Sequence, residues 1–372
     1  MQVGKVPPAL PALRQELQLG LVTAGWVVSI FSLVSACGGI AAGIVADRAG
    51  RPRLLVAGLA CLALGSLVGA LAATGATLLA ARIIEGIGFV AIGVSAPSLI
   101  ALAASDGDRR IALALWGSYM PTGMAGMMLL APPLLSLWGW RGLWLTEVVL
   151  LLAVMLIALA ALRSLPAGPG RSDWRWHNIP PALRRPGPWL LAGTFGVYTV
   201  QWMAVMSWLP TFMVDSARIG LAAAATLTAV AVLVNAPGNW LGGLLLPRGW
   251  PRWLVLALAA ARLAAFGYAM LAAPVPAEAR YGLLLAFSFF GGMLPSAAMA
   301  GIPVHARSPE LIGITNGVLV QGSNLGALLG APALAAAAGL FGGFQSAAWL
   351  LPTAAFVGIL LALGVGMAER RL

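Results

Sequence analysis

The sequence predicts an all-α protein that crosses a membrane many times. Three observations carry this: the apolar fraction, the length of the apolar runs, and the placement of the arginines. Of the 372 residues, 60 % are apolar and only 9 % are Asp, Glu, Lys or Arg. Soluble domains average about 25 % charged residues, so this chain lacks the polar groups to cover a water-facing surface. Eleven apolar runs follow one another, at about 21–45, 54–74, 77–103, 111–135, 142–162, 188–213, 219–246, 253–273, 281–303, 311–337 and 343–367. Each suits a spanning helix, which needs about 20 residues. The runs are too long for barrel strands and do not alternate.

The net charge of +11 does not point to nucleic acid, because the charges form short clusters between apolar runs. One set of alternate loops holds fifteen basic residues: Arg48, Arg51, Arg53, Arg109, Arg110, Arg163, Arg171, Arg175, Arg184, Arg185, Arg248, Arg252, Arg307, Arg370 and Arg371. The other set, with the N-terminal stretch, holds five: Lys5, Arg14, Arg141, Arg218 and Arg280. Basic residues favour the cytoplasmic side. The expected topology has the N-terminus of this chain outside, the C-terminus in the cytoplasm, and the protein in a bacterial inner membrane.

Residues 1–19 contain Lys5, Arg14, Glu16 and three prolines and read as a polar lead-in, not a signal peptide. The stretch 163–187 is the longest polar segment, with five prolines and five arginines. It is expected to be a cytoplasmic linker between an N-terminal bundle, 1–162, of about five spans and a C-terminal bundle, 188–372, of six. Cys37 and Cys61 lie inside apolar runs and match no metal-ligand pattern. His177 and His305 fall in expected cytoplasmic loops, without metal-ligand spacing around them. No metal and no cofactor are expected.

The loop after the first run reads Gly43-Ile-Val-Ala-Asp47-Arg48-Ala-Gly50-Arg51-Pro-Arg53. It resembles the signature loop of the major facilitator superfamily. Arg82-Ile-Ile-Glu85-Gly86-Ile-Gly88 in the third run is similar to that family's fourth-helix arginine motif. Trp138-Gly-Trp-Arg141 matches the outer loop that often precedes its sixth helix. The corresponding loop of the second half, Gly243-Leu-Leu-Leu-Pro247-Arg248-Gly-Trp-Pro-Arg252, has Pro247 in place of the acidic residue. The family has twelve helices, and here the first signature follows the first run. The resemblance therefore implies the family's two-bundle fold with about eleven spans, twelve minus the first. A start codon placed inside a longer gene and a genuine eleven-span protein both fit. The expectation taken forward is a functional protein longer at the N-terminus by about 15–30 mostly apolar residues, and a poorly transporting chain as given.

The resemblance implies a secondary active transporter that moves a small solute by alternating access, with protons as the coupling ion. A small organic anion or metabolite and an exported drug both fit. No phosphate-binding loop is present, and the two histidines make an integral-membrane enzyme a poor alternative; a non-transporting receptor or partner subunit is the other. The expected partners are the solute, protons and lipid, not nucleic acid, and a monomer suffices.

Gly43, Asp47, Arg48, Gly50, Arg51 and Arg53 form the implied gating loop; the bland alternative is that the arginines only set topology. Arg82 and Glu85, three apart, share a helix face. Arg82 is open to two readings, proton coupling or anion binding against snorkelling near the outer interface. Glu147, six residues after Arg141, is read as titrating or as solvated. Arg262 lies mid-run without a partner in sequence and is expected to face the bundle interior. Tyr119, Tyr198, Gln201, Trp202, Asn235, Asn239, Asn316, Gln321 and Asn324 need polar partners inside a membrane. A hydrated cavity or interhelical hydrogen bonds would supply them. Pro121, Pro132, Pro210, Pro237, Pro295, Pro303 and Pro332 interrupt or end helices.

Overall fold

With no water to satisfy backbone groups in a bilayer core, an apolar run must close its hydrogen bonds within itself, as a helix. The computed structural model describes residues 1–105, 108, 112, 119–163, 184–306 and 309–371. The side chains of 40–44, 46–49, 101, 216–217 and 309–313 also lie outside the description. Two compact units make up the chain, Met1–Trp174 and Arg175–Leu372.

The first unit opens with α1 (Val6–Glu16), started by prolines in its first turn, where the missing N–H costs nothing. Val6, Leu10 and Leu13 are fully buried; their spacing of four and three places them on one stripe. The stretch expected to be a polar lead-in is therefore packed inside the unit. Its polar residues are spaced so that an apolar stripe survives between them, which average composition hides. α2 (Leu21–Ser29) and α3 (Ser32–Ala49) follow, bent by 53° at their junction and counted together as one broken span. Gly50, at φ 89°, takes the left-handed conformation that glycine tolerates and turns the chain into α4 (Arg51–Ala70). α5 (Gly75–Ala103) is capped by Thr74, whose hydroxyl accepts from the Thr77 N–H while the Thr77 hydroxyl accepts from the Thr74 N–H.

α6 (Tyr119–Leu162) runs for 44 residues with a non-helical break at Gly139, φ 62°. A straight helix would hold Met124 and Glu147 about 35 Å apart. Both touch the first five residues of the chain. A Cβ on Gly4 would lie 2.3 Å from the Met124 carbonyl oxygen, and Lys5 Nζ is 2.8 Å from Glu147. The chain thus doubles back at Gly139 into a helical hairpin. Among the described residues nine helices are long and apolar enough to cross a membrane, or ten with α2 and α3 joined. Counting the two arms of α6 separately makes eleven, the number of apolar runs. The break falls between the runs at 111–135 and 142–162, inside Trp138-Gly-Trp-Arg141, the stretch expected to be an outer loop.

The second unit contains α7 (Pro186–Ala217), α8 (Leu221–Leu245), α9 (Arg252–Ala272), α10 (Ala277–Met299), the short α11 (Ile302–Ala306), α12 (Pro309–Phe341) and α13 (Leu350–Glu369). Glycine faces set its tightest contacts. On α12, a Cβ at Gly322, Gly326 or Gly330 would lie 2.4, 2.1 or 2.6 Å from the carbonyl oxygens of Ala192, Gly196 and Val200 on α7. Small residues every fourth position let two helix backbones meet this closely. Gly326→Leu is therefore expected to push α7 and α12 apart and destabilise the protein by at least the 1–3 kcal/mol typical (about) of overpacking. Gly339→Leu, on the same helix where nothing lies within 4 Å, should leave the melting temperature of the purified protein unchanged. Equal melting of the two variants would refute the tight contact.

Candidate functional site

Four charged side chains meet inside the first unit: Lys5, Arg82, Glu85 and Glu147, each no more than 1 % exposed. They come from the start of α1, from α5 and from the second arm of α6. Lys5 Nζ lies 2.7 Å from Glu85 Oε1 and 2.8 Å from Glu147 Oε2, and donates to Ser66 Oγ of α4 at 3.1 Å. Of the three protons an ammonium can give, hydrogen bonds to Glu85 and Ser66 use two, and Glu147 is held by charge. The Trp144 ring stands 4.7 Å from the same nitrogen. Ser66 in turn donates to Glu85 Oε1 at 2.8 Å. This reach depends on Gly65, where a Cβ would strike Glu85 Cγ at 2.7 Å.

Arg82 pairs with Glu85 Oε2 across one helix turn. Its Nε donates to the Val27 carbonyl at 3.0 Å and its Nη2 to the Val28 carbonyl at 3.4 Å. Those carbonyls belong to the last turn of α2, where helical partners are missing and the helix dipole is negative. The bend between α2 and α3 thus supplies acceptors for a buried guanidinium. Gly86 permits it, since a Cβ there would lie 2.3 Å from the Phe31 carbonyl oxygen. The Nη1 that pairs with Glu85 also donates to the Gln2 carbonyl at 3.2 Å.

Among the side chains two cations face two anions, a balance under which buried charges persist, and the Met1 amino group lies close enough to interact with Glu147, Lys5 and Arg82. The anions are not held alike. Glu85 has Lys5, Arg82 and Ser66; among the described side chains Glu147 has one ion pair, to Lys5.

Arg82 and Glu85 are therefore a buried pair, and snorkelling to the interface is excluded. Glu147 is buried rather than solvated. Lys5 was missed: it was counted among the basic residues of the outer loops. The apolar spacing of Val6, Leu10 and Leu13 was the signal that could have placed it beside a helix. Glu16, at the other end of α1, pairs with Arg141 and accepts from the Trp140 indole at 2.6 Å. These partners hold its carboxyl below the usual range. The small stability this exposed group adds is present above its unfolded value and lost as pH falls through the lowered one.

In the second unit Asn235 Nδ2 donates to the Tyr198 hydroxyl at 3.1 Å and to the Ser288 carbonyl at 3.0 Å. Asn239 Nδ2 donates to Asn235 Oδ1 at 3.0 Å. The sequence separation of 37 between Tyr198 and Asn235 is closed by α7 and α8 packing together. Gln201 is buried and its amide reaches only its own helix, at the Val197 carbonyl. Trp202 is buried, its indole N–H without a partner among the described residues. Asn324 donates to its own helix at the Val320 carbonyl. Asn316 is exposed and Gln321 half-buried. Tyr119 is exposed, its ring 6.3 Å from that of Phe89.

Arg262 corrects an expectation. It was placed towards the bundle interior, yet it is exposed on α9, its guanidinium 4.8 Å from the Phe290 ring. The face of α9 that packs on α10 and α13 is the one carrying Val255, Leu256, Ala259, Ala260 and Leu263, which leaves position 262 on the other side. His305, expected in a loop, is buried in α11, 3.4 Å from Glu369, which also binds Arg252 at 2.6 Å. Of the implied gating loop, Arg53 is exposed and Arg51 half-buried. The side chains of Asp47 and Arg48, and Gly43, lie outside the described residues, as do Arg109, Arg110, His177 and most of 163–187.

Among the described residues the regular structure is all helical, with apolar helices long enough to cross a membrane many times. A family model described as Major Facilitator Superfamily matches residues 1–331, and the chain belongs to that family. Its sequence is 33 % identical over 150 residues to the multidrug efflux pump LfrA of Mycolicibacterium smegmatis, covering 40 % of this chain and 30 % of the relative. It is 31 % identical over 167 residues to the cephamycin export protein CmcT of Amycolatopsis lactamdurans, covering 45 % and 34 %. The matches thus span about a third of those relatives' length. In fold it is similar to a bacterial homolog of the human lysosomal transporter Spinster in an inward-facing, unoccupied conformation. There the TM-score is 0.83 at 16 % identity, over 99 % of this chain and 94 % of that one. It also resembles the E. coli fucose:proton symporter FucP, with TM-score 0.64 at 16 % identity over 98 % and 96 %.

Proposed function

We propose that this protein is a secondary transporter that carries a small organic solute across a bacterial inner membrane by alternating access, with protons as the driving ion. The observation that carries the reading is the buried set Lys5, Arg82, Glu85 and Glu147. Ionisable groups among apolar helices cost about 2.5–3.5 kcal/mol each on insertion scales, and in membrane proteins they mark ion and substrate paths. A packed apolar core would be cheaper if structure were the only demand.

Glu147 is the proton acceptor in this reading, because it gives up one contact on protonation whereas Glu85 would give up three. A proton taken from one side joins the Glu147 carboxylate, the ion pair to Lys5 opens, and the cluster gains one positive charge. That excess repels a cationic solute and attracts an anionic one. The names of the relatives favour export, and exchange of one proton for one cationic solute satisfies the charge balance. Tyr198, Asn235 and Asn239 form a second polar site suited to contacting solute. Asp47 with Arg48, Arg51 and Arg53 takes the gating role that the family's loop implies. Two bundles joined by 163–187, a cytoplasmic C-terminus and a monomeric unit complete the reading, the topology resting on the fifteen-to-five bias of basic residues.

The test is transport by the purified chain in proteoliposomes, with fluorescent cationic dyes and radiolabelled organic anions as probes. Accumulation of a probe should follow an imposed pH gradient and collapse when a protonophore is added. Accumulation indifferent to both pH gradient and membrane potential would sink the proton assignment.

A further inference from the structure

Arg262 poses a question that transport does not answer. It lies ten residues into α9, about 15 Å along the helix from Arg252, or half the hydrocarbon thickness of about 30 Å. It is exposed, and no carboxylate among the described residues pairs with it; its described contact is the Phe290 ring. A charge at this depth needs an anion or water.

Beside it runs an apolar groove of about 130 Å³, formed where α8, α9 and α10 meet. Leu241 and Leu245 of α8, Leu258 of α9, and Phe290 and Met293 of α10 line it, with Trp250 at one end and Arg262 within. The size is close to that of apolar cavities that admit a benzene-sized group. Trp250 is 44 % exposed and belongs to the turn between α8 and α9, the position where tryptophan favours the headgroup level. Helical side chains lean towards their own N-terminus, so the Arg262 guanidinium leans towards that same turn.

The cations near this end are not equivalent. Arg252 is neutralised by Glu369. Arg248 is exposed and donates only to the Leu244 carbonyl of its own helix end. The groove therefore carries an apolar wall and uncompensated positive charge, with no acidic group to receive an ammonium.

We propose that this groove is a binding site for an acidic phospholipid, with an acyl chain against Leu241, Leu258 and Met293 and the Arg262 side chain extended towards the headgroup phosphate at the level of Trp250. Zwitterionic lipids fit less well, because the groove's lining offers their ammonium group no carboxylate. The site is separate from the Lys5 cluster, which lies in the other unit, and does not depend on the transport reading.

Native mass spectrometry of the detergent-purified full chain tests it, with phosphatidylglycerol, phosphatidylcholine and inorganic phosphate added separately. The wild type should retain phosphatidylglycerol at least about fivefold better than phosphatidylcholine and should retain no inorganic phosphate. Arg262→Gln should abolish the preference. Leu258→Trp, which fills the groove and keeps the charge, should lower lipid retention as well. Both positions border open space, and unchanged melting temperatures would confirm intact folding. Should Arg262→Gln destabilise the protein, Arg262→Lys decides: it keeps the charge and should keep the preference. Equal retention of the two lipids by the wild type, or a preference that survives Arg262→Gln, overturns the proposal. Binding of inorganic phosphate without lipid would overturn the acyl-chain part.

Discussion

Lys5→Met is expected to destabilise the first unit by about 3–5 kcal/mol, the usual cost of removing one partner from a buried ion pair. The substitution keeps an unbranched side chain, one atom shorter, and removes its charge and donors. Glu147 then loses its ion pair while remaining buried, and Glu85 keeps Arg82 and Ser66. The melting temperature of the purified protein should fall by roughly 10 °C, taking the few degrees per kcal/mol seen for domains of this size. The double variant Lys5→Met/Glu147→Gln should recover part of the loss, because it also removes the orphaned charge. A double-mutant cycle would then give a coupling above about 1 kcal/mol. A single variant that melts with the wild type, or a cycle that closes to zero, would show that the residues do not interact.

Glu147→Gln has the largest expected effect on activity. The neutral amide stands in for the protonated carboxyl and can still accept from Lys5, so folding should survive. Transport should lose its response to pH: accumulation driven by a proton gradient falls, while downhill exchange of labelled for unlabelled probe continues. Coupling free energies between two ligands' sites run about 1–3 kcal/mol, roughly 5–150-fold, and that factor is what the variant should forfeit. Glu85→Gln should behave differently, losing stability before coupling, because Arg82 would keep only carbonyl partners. Proton-driven accumulation by Glu147→Gln at the wild-type level would refute the assignment of the coupling residue and leave the stability result for Lys5 untouched.

The two results separate structure from mechanism. A cluster that only holds α1, α5 and α6 together would show the stability loss without the loss of coupling. A cluster that binds and releases a proton shows both, because one and the same ion pair sets the packing and the charge.

What the sequence showed clearly was the set of features read locally by lipid. Eleven apolar runs became spans because a bilayer accepts only backbones that satisfy themselves, and the run boundaries sit close to the helix ends. The signature at Asp47 and the Arg82–Glu85 spacing pointed to the family, and Gly50 of that signature turns the chain in the left-handed region. Tyr198, Asn235 and Asn239 stand out one by one in the sequence; their hydrogen-bonded chain is not legible there, since nothing in sequence says which faces of α7 and α8 meet. The same holds for Arg262. Hydropathy marks a charge as deep in a run but not the side of the helix it takes, and the side is fixed by which neighbours pack against it.

Composition and periodicity alone determined the fold class, the number of spans and the charge asymmetry between alternate loops, because each depends on how a short stretch partitions between water and hydrocarbon. Tertiary structure decided the candidate site. Lys5 meets Glu85 across 80 residues of sequence and Glu147 across 142, through α1 tucking its apolar stripe into the unit and α6 folding back at Gly139. Such pairings are set by the packing of whole helices, and a buried cation becomes affordable only once carbonyls and carboxylates from several of them converge on it.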